Sequence, residues 1–230
     1  MKKLLKRIIV SILDRIIWGG LRSPEAFLNK LRSSGVKIGE GTVFFDPRST
    51  IVDCQNPKLI TIGNNVKITA GCRILTHDYS WCVPGYIYGD VLGALGTVDI
   101  GDNVFVGMNT IILRNTVIGD NVIIGSGSVV SGIVESDSVY VGVPAKKIMS
   151  MEDFYNKRKN KIEFDIRNVL ERIDVNNDAE VWTYLREYAC FFQDAPEELK
   201  KRQMMATGNY QKCEEYYKLE PPMFRLDDFK

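Results

Sequence analysis

Apolar residues recur every six positions through the middle of this chain: Ile62, Ile68 and Ile74, then Ile100, Val106 and Ile112, then Ile118, Ile124 and Val130. Glycine often follows them (Gly63, Gly101, Gly107, Gly119, Gly125), and small or β-branched residues often stand four places after the leading one, at Val66, Cys72, Val104, Thr110, Thr116, Val122 and Ser128. A hexapeptide period of this kind predicts a parallel β-helix, each unit supplying one short strand with its leading residue inward. Glycine and the pairs Asn64-Asn65, Asp102-Asn103 and Asp120-Asn121 suit the corners, because they tolerate left-handed backbone. Three units make a coil, so Ile62, Ile100 and Ile118 should stack on one face, about 4.8 Å apart. Ile68, Val106 and Ile124 should form a second ladder, and Ile74, Ile112 and Val130 a third. A sandwich of alternating strands does not account for a phase kept from Ile100 to Val130 without a slip.

The flanks are less regular. An earlier coil is expected around Ile38-Gly39, Phe44 and Ile51, with a kink at Asp53-Cys54-Gln55-Asn56-Pro57. The phase breaks after Ile74 and resumes only at Ile100, which leaves residues 80–99 as a long loop. That loop carries Trp81, Tyr86 and Tyr88 among Gly85, Gly89, Gly93 and Gly96, a mixture suited to an arm lying over a flat ligand such as a sugar. Residues 2–18 read as an amphipathic helix with a basic start. Asp14 and Arg15 interrupt its apolar run, so it is neither a membrane span nor a good signal peptide. Packing on protein is preferred for it, and peripheral contact with a membrane stays open. Ser23 as N-cap, then Pro24 and Glu25, predicts a second helix ending near Gly35. After Val141-Gly142-Val143-Pro144-Ala145-Lys146-Lys147-Ile148 closes the repeat, Ile162, Ile166, Leu170 and Ile173, and then Val181, Trp182, Leu185 and Tyr188, recur at helical spacing. The tail from about Asp194 gives weak signals and is expected to be partly irregular. The organisation expected is therefore an N-terminal helical segment over 1–35, a β-helix over 36–148 and a helical extension over 149–230.

Composition narrows the chemistry. Thirty basic against 29 acidic residues leave a net charge of +1, which gives no electrostatic case for nucleic acid. Five cysteines without framework spacing read as reduced thiols in a cytoplasmic protein. Cys72 falls on an inward position and is expected in the core, while Cys82 lies near the single histidine and is read as structural rather than nucleophilic. No CxxC or histidine cluster is present, so no metal is expected.

His77 is the one histidine of the chain, and it stands where the repeat breaks, in Ile74-Leu75-Thr76-His77-Asp78-Tyr79-Ser80. A base that titrates near neutral pH beside an interruption of a regular scaffold is the first candidate for chemistry.

The repeats, the segment Ile74–Ser80 and the closing segment Val141–Ile148 together resemble the hexapeptide-repeat acyltransferases, most closely the sugar O-acetyltransferase branch that includes the maltose, galactoside and chloramphenicol acetyltransferases. The resemblance implies a left-handed parallel β-helix, a homotrimer with active sites between subunits, and acetyl-CoA as donor. It implies His77 as general base, with Asp78 or a backbone carbonyl to orient the ring, and Asp53 with Asp78, Trp81, Tyr86 and Tyr88 toward the acceptor. Gly107, Met108, Gly125 and Ser126 would line the donor's pantetheine arm, with Lys146 and Lys147 near its phosphates. Gly132 stands where relatives often have lysine, which weakens the phosphate contacts. The acceptor implied is a sugar hydroxyl, with an amine on an amino sugar or nucleotide-linked sugar as the alternative. Two other classes remain: a carbonic-anhydrase-like prism, which needs more histidines than this chain has, and a non-catalytic assembly scaffold, against which His77 and its aromatic loop argue.

Overall fold

The computed structural model describes residues 23–229, so the amphipathic helix expected over residues 2–18 lies outside the described residues. The chain divides into two compact units between residues 154 and 155.

The first unit opens with helix α1 (Pro24–Ser34), whose N-cap Ser23 accepts from the Ala26 N–H and whose C-cap Gly35 takes φ 113°. Coil one then contributes β1 (Lys37–Ile38), β2 (Val43–Phe44) and β3 (Ile51–Val52), and coil two β4 (Ile60–Ile62), β5 (Lys67–Ile68) and β6 (Arg73–Ile74). An excursion containing helix α2 (Cys82–Tyr88) follows. Coils three to five are built from β7 (Val98–Ile100), β8 (Phe105–Val106), β9 (Ile111–Ile118), β10 (Val122–Ile124), β11 (Val129–Val134) and β12 (Ser138–Gly142). All of these strands pair in parallel, and β13 (Ala145–Ser150) ends the stack by turning back antiparallel on β12.

The three ladders form in the register that the period requires. Ile38, Ile62, Ile100, Ile118 and Val134 pair in succession on one face. Phe44, Ile68, Val106, Ile124 and Tyr140 do so on the second, and Val52, Ile74, Ile112 and Val130 on the third. The architecture is the expected left-handed parallel β-helix, with about five turns. Its interior holds the leading residues together with the small ones, and Val66, Cys72, Val104, Thr110, Thr116, Val122 and Ser128 are all buried. At one corner Asn65, Asn103, Asn121 and Asp137 all take left-handed φ values, at 54°, 56°, 56° and 54°. Their side chains bond from coil to coil: the Asn65 amide donates to Asn103, Asn103 to Asn121, and Asn121 to Asp137. Gly63 is fixed beside this corner because a Cβ there would collide with the Gly101 backbone and the Asp102 carboxylate. Helix α1 packs on the first coil through Phe27, whose ring meets Phe44 edge-on at 5.1 Å, and through buried Leu31.

Two expectations change. In coil one the inward residue is Val52, which pairs with Ile74, while Ile51 is 51% exposed. The corner before it is longer than a hexapeptide corner and is braced on Asp46, which accepts from the Ser49 hydroxyl and, at its carbonyl, from Thr50. The excursion is not a structureless loop, since α2 occupies its middle and ends on Gly89 at φ 74°. Pro84 and Gly85 are poor helix formers that mask α2 in the sequence, yet Pro84 stands in the first turn, where its missing N–H costs nothing.

The second unit is helical. Helix α3 (Met151–Lys159) spans the division, and α4 (Ile162–Leu170), α5 (Asp178–Tyr184) and a 3-10 segment (Leu185–Phe191) follow. Ile166, Leu170, Val181, Leu185, Ala189, Phe192, Ala195 and Leu226 form its core. The tail expected to be partly irregular contains α6 (Glu197–Ala206) and α7 (Tyr210–Leu219). Their only buried residue is Lys200, so there was no apolar stripe to read.

Candidate active site

The site is made where the second coil is left. Parallel pairing of β3 with β6 runs on past Val52 and Ile74, and the Asp53 N–H donates to the Ile74 carbonyl at 3.0 Å. This seats the Asp53 carboxylate beside Thr76 and His77. Its Oδ2 accepts from the Thr76 N–H at 3.2 Å and from the Thr76 hydroxyl, and lies 2.5 Å from His77 Nδ1. Its Oδ1 accepts from the Gln55 N–H at 3.1 Å. Burial alone would raise the pKa of this carboxyl. The hydrogen bonds from Thr76, from His77 and from the two backbone N–H groups outweigh that and hold it below the ordinary carboxylate value.

An ionised carboxylate can only accept, so Nδ1 must carry the imidazole proton and Nε2 the lone pair. The Asp53 side chain is 4% exposed and that of His77 is 38% exposed. A buried acid thus fixes the tautomer and the ring orientation of a base that reaches solvent, an arrangement suited to taking a proton.

The structure places Asp53, expected toward the acceptor, against His77 Nδ1. Asp78, considered as the orienter, points elsewhere, as adjacent residues of an extended segment do. It pairs with Arg114 Nε at 2.7 Å and accepts from the Ser80 hydroxyl at 2.5 Å and the Ser80 N–H at 3.0 Å. Those partners, Ser80 first and Arg114 next, pull its pKa far down. Thr76 and Arg114 are the residues that sequence reasoning missed. Thr76 adjoins the histidine and is fully buried, whereas Arg114 lies within β9 and nothing in the sequence marks it.

The excursion returns alongside the histidine. Gly96 N–H donates to the Thr76 carbonyl at 2.8 Å, Asp78 N–H to the Ala94 carbonyl at 3.3 Å, and His77 bridges Leu95 antiparallel. Trp81 stands at the start of the arm with its ring 4.7 Å from that of Tyr79. Tyr86 and Tyr88 lie farther along on α2, 94% and 78% exposed. The thiol of Cys82 is exposed on the same helix, and that of buried Cys72 accompanies the core.

The residues expected to hold a donor divide. Gly107 N–H donates to the Ile124 carbonyl and Gly125 N–H to the Tyr140 carbonyl, both at 2.8 Å, so neither amide is free to bind a ligand. These glycines serve close packing between coils: a Cβ on Gly107 would collide with Ser126 N and the Gly125 backbone. Met108 and Ser126 are exposed beside them on successive coils. On β13, Lys147 Nζ is paired with Glu135 at 2.7 Å, while Lys146 is exposed with no ion pair among the described residues.

The stretch 97–132 matches the family model described as bacterial transferase hexapeptide (six repeats). Protein CapG of Staphylococcus aureus is 40% identical over 130 residues, covering 56% of this chain and 74% of CapG. The chain belongs to the hexapeptide-repeat acyltransferase superfamily. Among solved structures, it is similar to a hexapeptide-repeat acetyltransferase of Vibrio cholerae, with 24% identity, a TM-score of 0.39 and coverage of 51% of this chain. This chain spans 63% of the Vibrio cholerae protein's length. It is also similar to a maltose O-acetyltransferase of Clostridium difficile 630, with 26% identity, a TM-score of 0.38 and coverage of 53% of this chain and 73% of that one. In this superfamily member the matched repeat stretch contains Gly107, Met108, Gly125 and Ser126, whereas His77 and Asp53 precede it. Among the described residues no helix is long and apolar enough to cross a membrane.

Proposed function

We propose that the protein is an acetyl-CoA-dependent O-acetyltransferase that acts on a sugar hydroxyl. The observation that carries this reading is the buried Asp53 carboxylate held 2.5 Å from Nδ1 of a solvent-reaching His77. A hydroxyl is a weak nucleophile, and its proton must leave as the new bond forms. In the proposed reaction Nε2 accepts that proton while the hydroxyl oxygen attacks the thioester carbonyl. The tetrahedral oxyanion collapses, the C–S bond breaks, and the imidazolium returns the proton to the departing CoA thiolate. The acetyl group passes directly from sulfur to oxygen, and no acyl-enzyme forms. Met108 and Ser126 are the surface along which the pantetheine arm would run, with Lys146 toward the phosphates. The use of acetyl-CoA fits a cytoplasmic enzyme.

The test is release of free thiol from acetyl-CoA with a panel of sugars and amino sugars. The expected product is an ester that mild alkali cleaves. An alkali-resistant amide, formed only with amino sugars, would replace the hydroxyl reading by the amine one.

Two expectations belong to this reading. The protein is expected to be a homotrimer with its sites between subunits, and light scattering that gives a monomer at working concentration would contradict that. Trp81→Ala with Tyr86→Ala is expected to raise the acceptor KM severalfold and leave the KM for acetyl-CoA near wild type, because the arm is assigned to the acceptor. Unchanged acceptor kinetics in the folded variant would make the arm a structural flap.

A further inference from the structure

The helical unit contains a cavity of about 390 Å³, between α3, the Leu185–Phe191 segment and α7, that acyl transfer leaves unused. That volume is in the range of sites for small organic ligands, roughly 300–1,000 Å³. Its walls are mostly ring faces. Tyr216 and Tyr217 meet at 5.2 Å and 87°, and Phe191 stands against Tyr217 at 6.5 Å and 82°, which makes an aromatic corner.

Three cations, Arg158, Lys159 and Lys212, line the same cavity, and no carboxylate among the described residues does. Lys159 Nζ is 3.5 Å from the Tyr216 hydroxyl and 5.8 Å from the centre of the Tyr155 ring. The acidic groups nearby lie outside the lining: Asp165 is 3.8 Å from Arg158, and Glu220 acts on Lys159. Lys212 has no ion pair among the described residues. Cations against apolar walls favour a counter-charge that arrives with its own apolar body, and ring faces favour a planar one.

We propose that this cavity binds a planar anion, a ring system bearing a phosphate or carboxylate, with the ring in the Tyr216–Tyr217 corner and the acidic group on Lys212, Arg158 and Lys159. The shared chemistry has two sources, a nucleoside phosphate or an aromatic carboxylic acid, and the site is independent of the acyl-transfer reading.

Isothermal titration of the full chain with UMP, AMP and 1-naphthoate tests it, with uridine, adenosine and 1-naphthalenemethanol as uncharged controls. At least one anion is expected to bind with Kd below about 1 mM, and its uncharged counterpart at least about tenfold more weakly. Lys212→Glu and Tyr216→Ala, both at exposed positions of α7, should each weaken the anion about tenfold or more, whereas Lys201→Glu on α6 should not. Circular dichroism establishes that the variants are folded. Binding by nucleotides alone, or by naphthoate alone, supports the site and names the source. Absence of binding by all three anions would overturn the proposal. So would binding that survives both Lys212→Glu and Tyr216→Ala, because the ligand would then occupy another site, such as that of the acetyl donor.

Discussion

His77→Ala is expected to lower kcat by roughly 10²–10⁴-fold, the usual worth of a general base, while acetyl-CoA binding measured directly stays near wild type. The donor surface assigned above is Met108, Ser126 and Lys146, on β-helix coils beyond the one that His77 leaves. Deleting the imidazole therefore removes an interaction that matters only as the hydroxyl proton departs. In steady-state kinetics such a loss falls on kcat and kcat/KM together. A variant whose donor affinity collapsed along with kcat would instead show that His77 helps to build the donor site.

Asp53→Asn is expected to approach the same loss, about 10²–10⁴-fold in kcat, although the side chain keeps its size. An amide can turn its NH2 toward His77 Nδ1, and Nδ1 must then accept rather than donate. The imidazole proton moves to Nε2, where the lone pair is needed. In the wild-type protein the depressed pKa of Asp53 keeps it ionised above the ordinary carboxylate range, so this orientation holds at neutral pH. On acidification the carboxylate is protonated only below the ordinary Asp value, and its contribution to stability is present above that value and lost as pH falls through the depressed one. Steady-state kinetics should give a near-normal KM for acetyl-CoA with a large deficit in kcat. Wild-type turnover by Asp53→Asn would mean that the 2.5 Å contact is merely structural.

The β-helix was legible because its period repeats the same physical requirement in every coil. An inward apolar residue, a small partner four places on and a left-handed corner are each visible at Ile100–Val130. His77 was legible because it is the single residue of its kind and stands at a break in that period. Its partner was harder to read. Asp53 and His77 are brought together by stacking of coil one on coil two, and the corner before Val52 is too irregular for the strand register to be counted from Phe44. Without that register, the sequence does not show that the carboxylate one residue past inward Val52 comes to lie beside Thr76. The glycines that the resemblance placed along the donor have a local reason to be small: Gly107 and Gly125 donate their amides within the β-helix, and the next coil is close. Asn209 caps α7 and no side chain caps α6, and neither helix buries an apolar face, which is what periodicity detects.

The central claim is that an imidazole fixed by Asp53 takes the acceptor's proton, and the pH dependence of kcat/KM for the acceptor tests it most directly. In the wild type, kcat/KM should rise with pH and then level off, since a general base works only with a free lone pair at Nε2. In His77→Ala the residual rate should lack that limb. The same ascending limb in both proteins would assign it to another group and contradict the account.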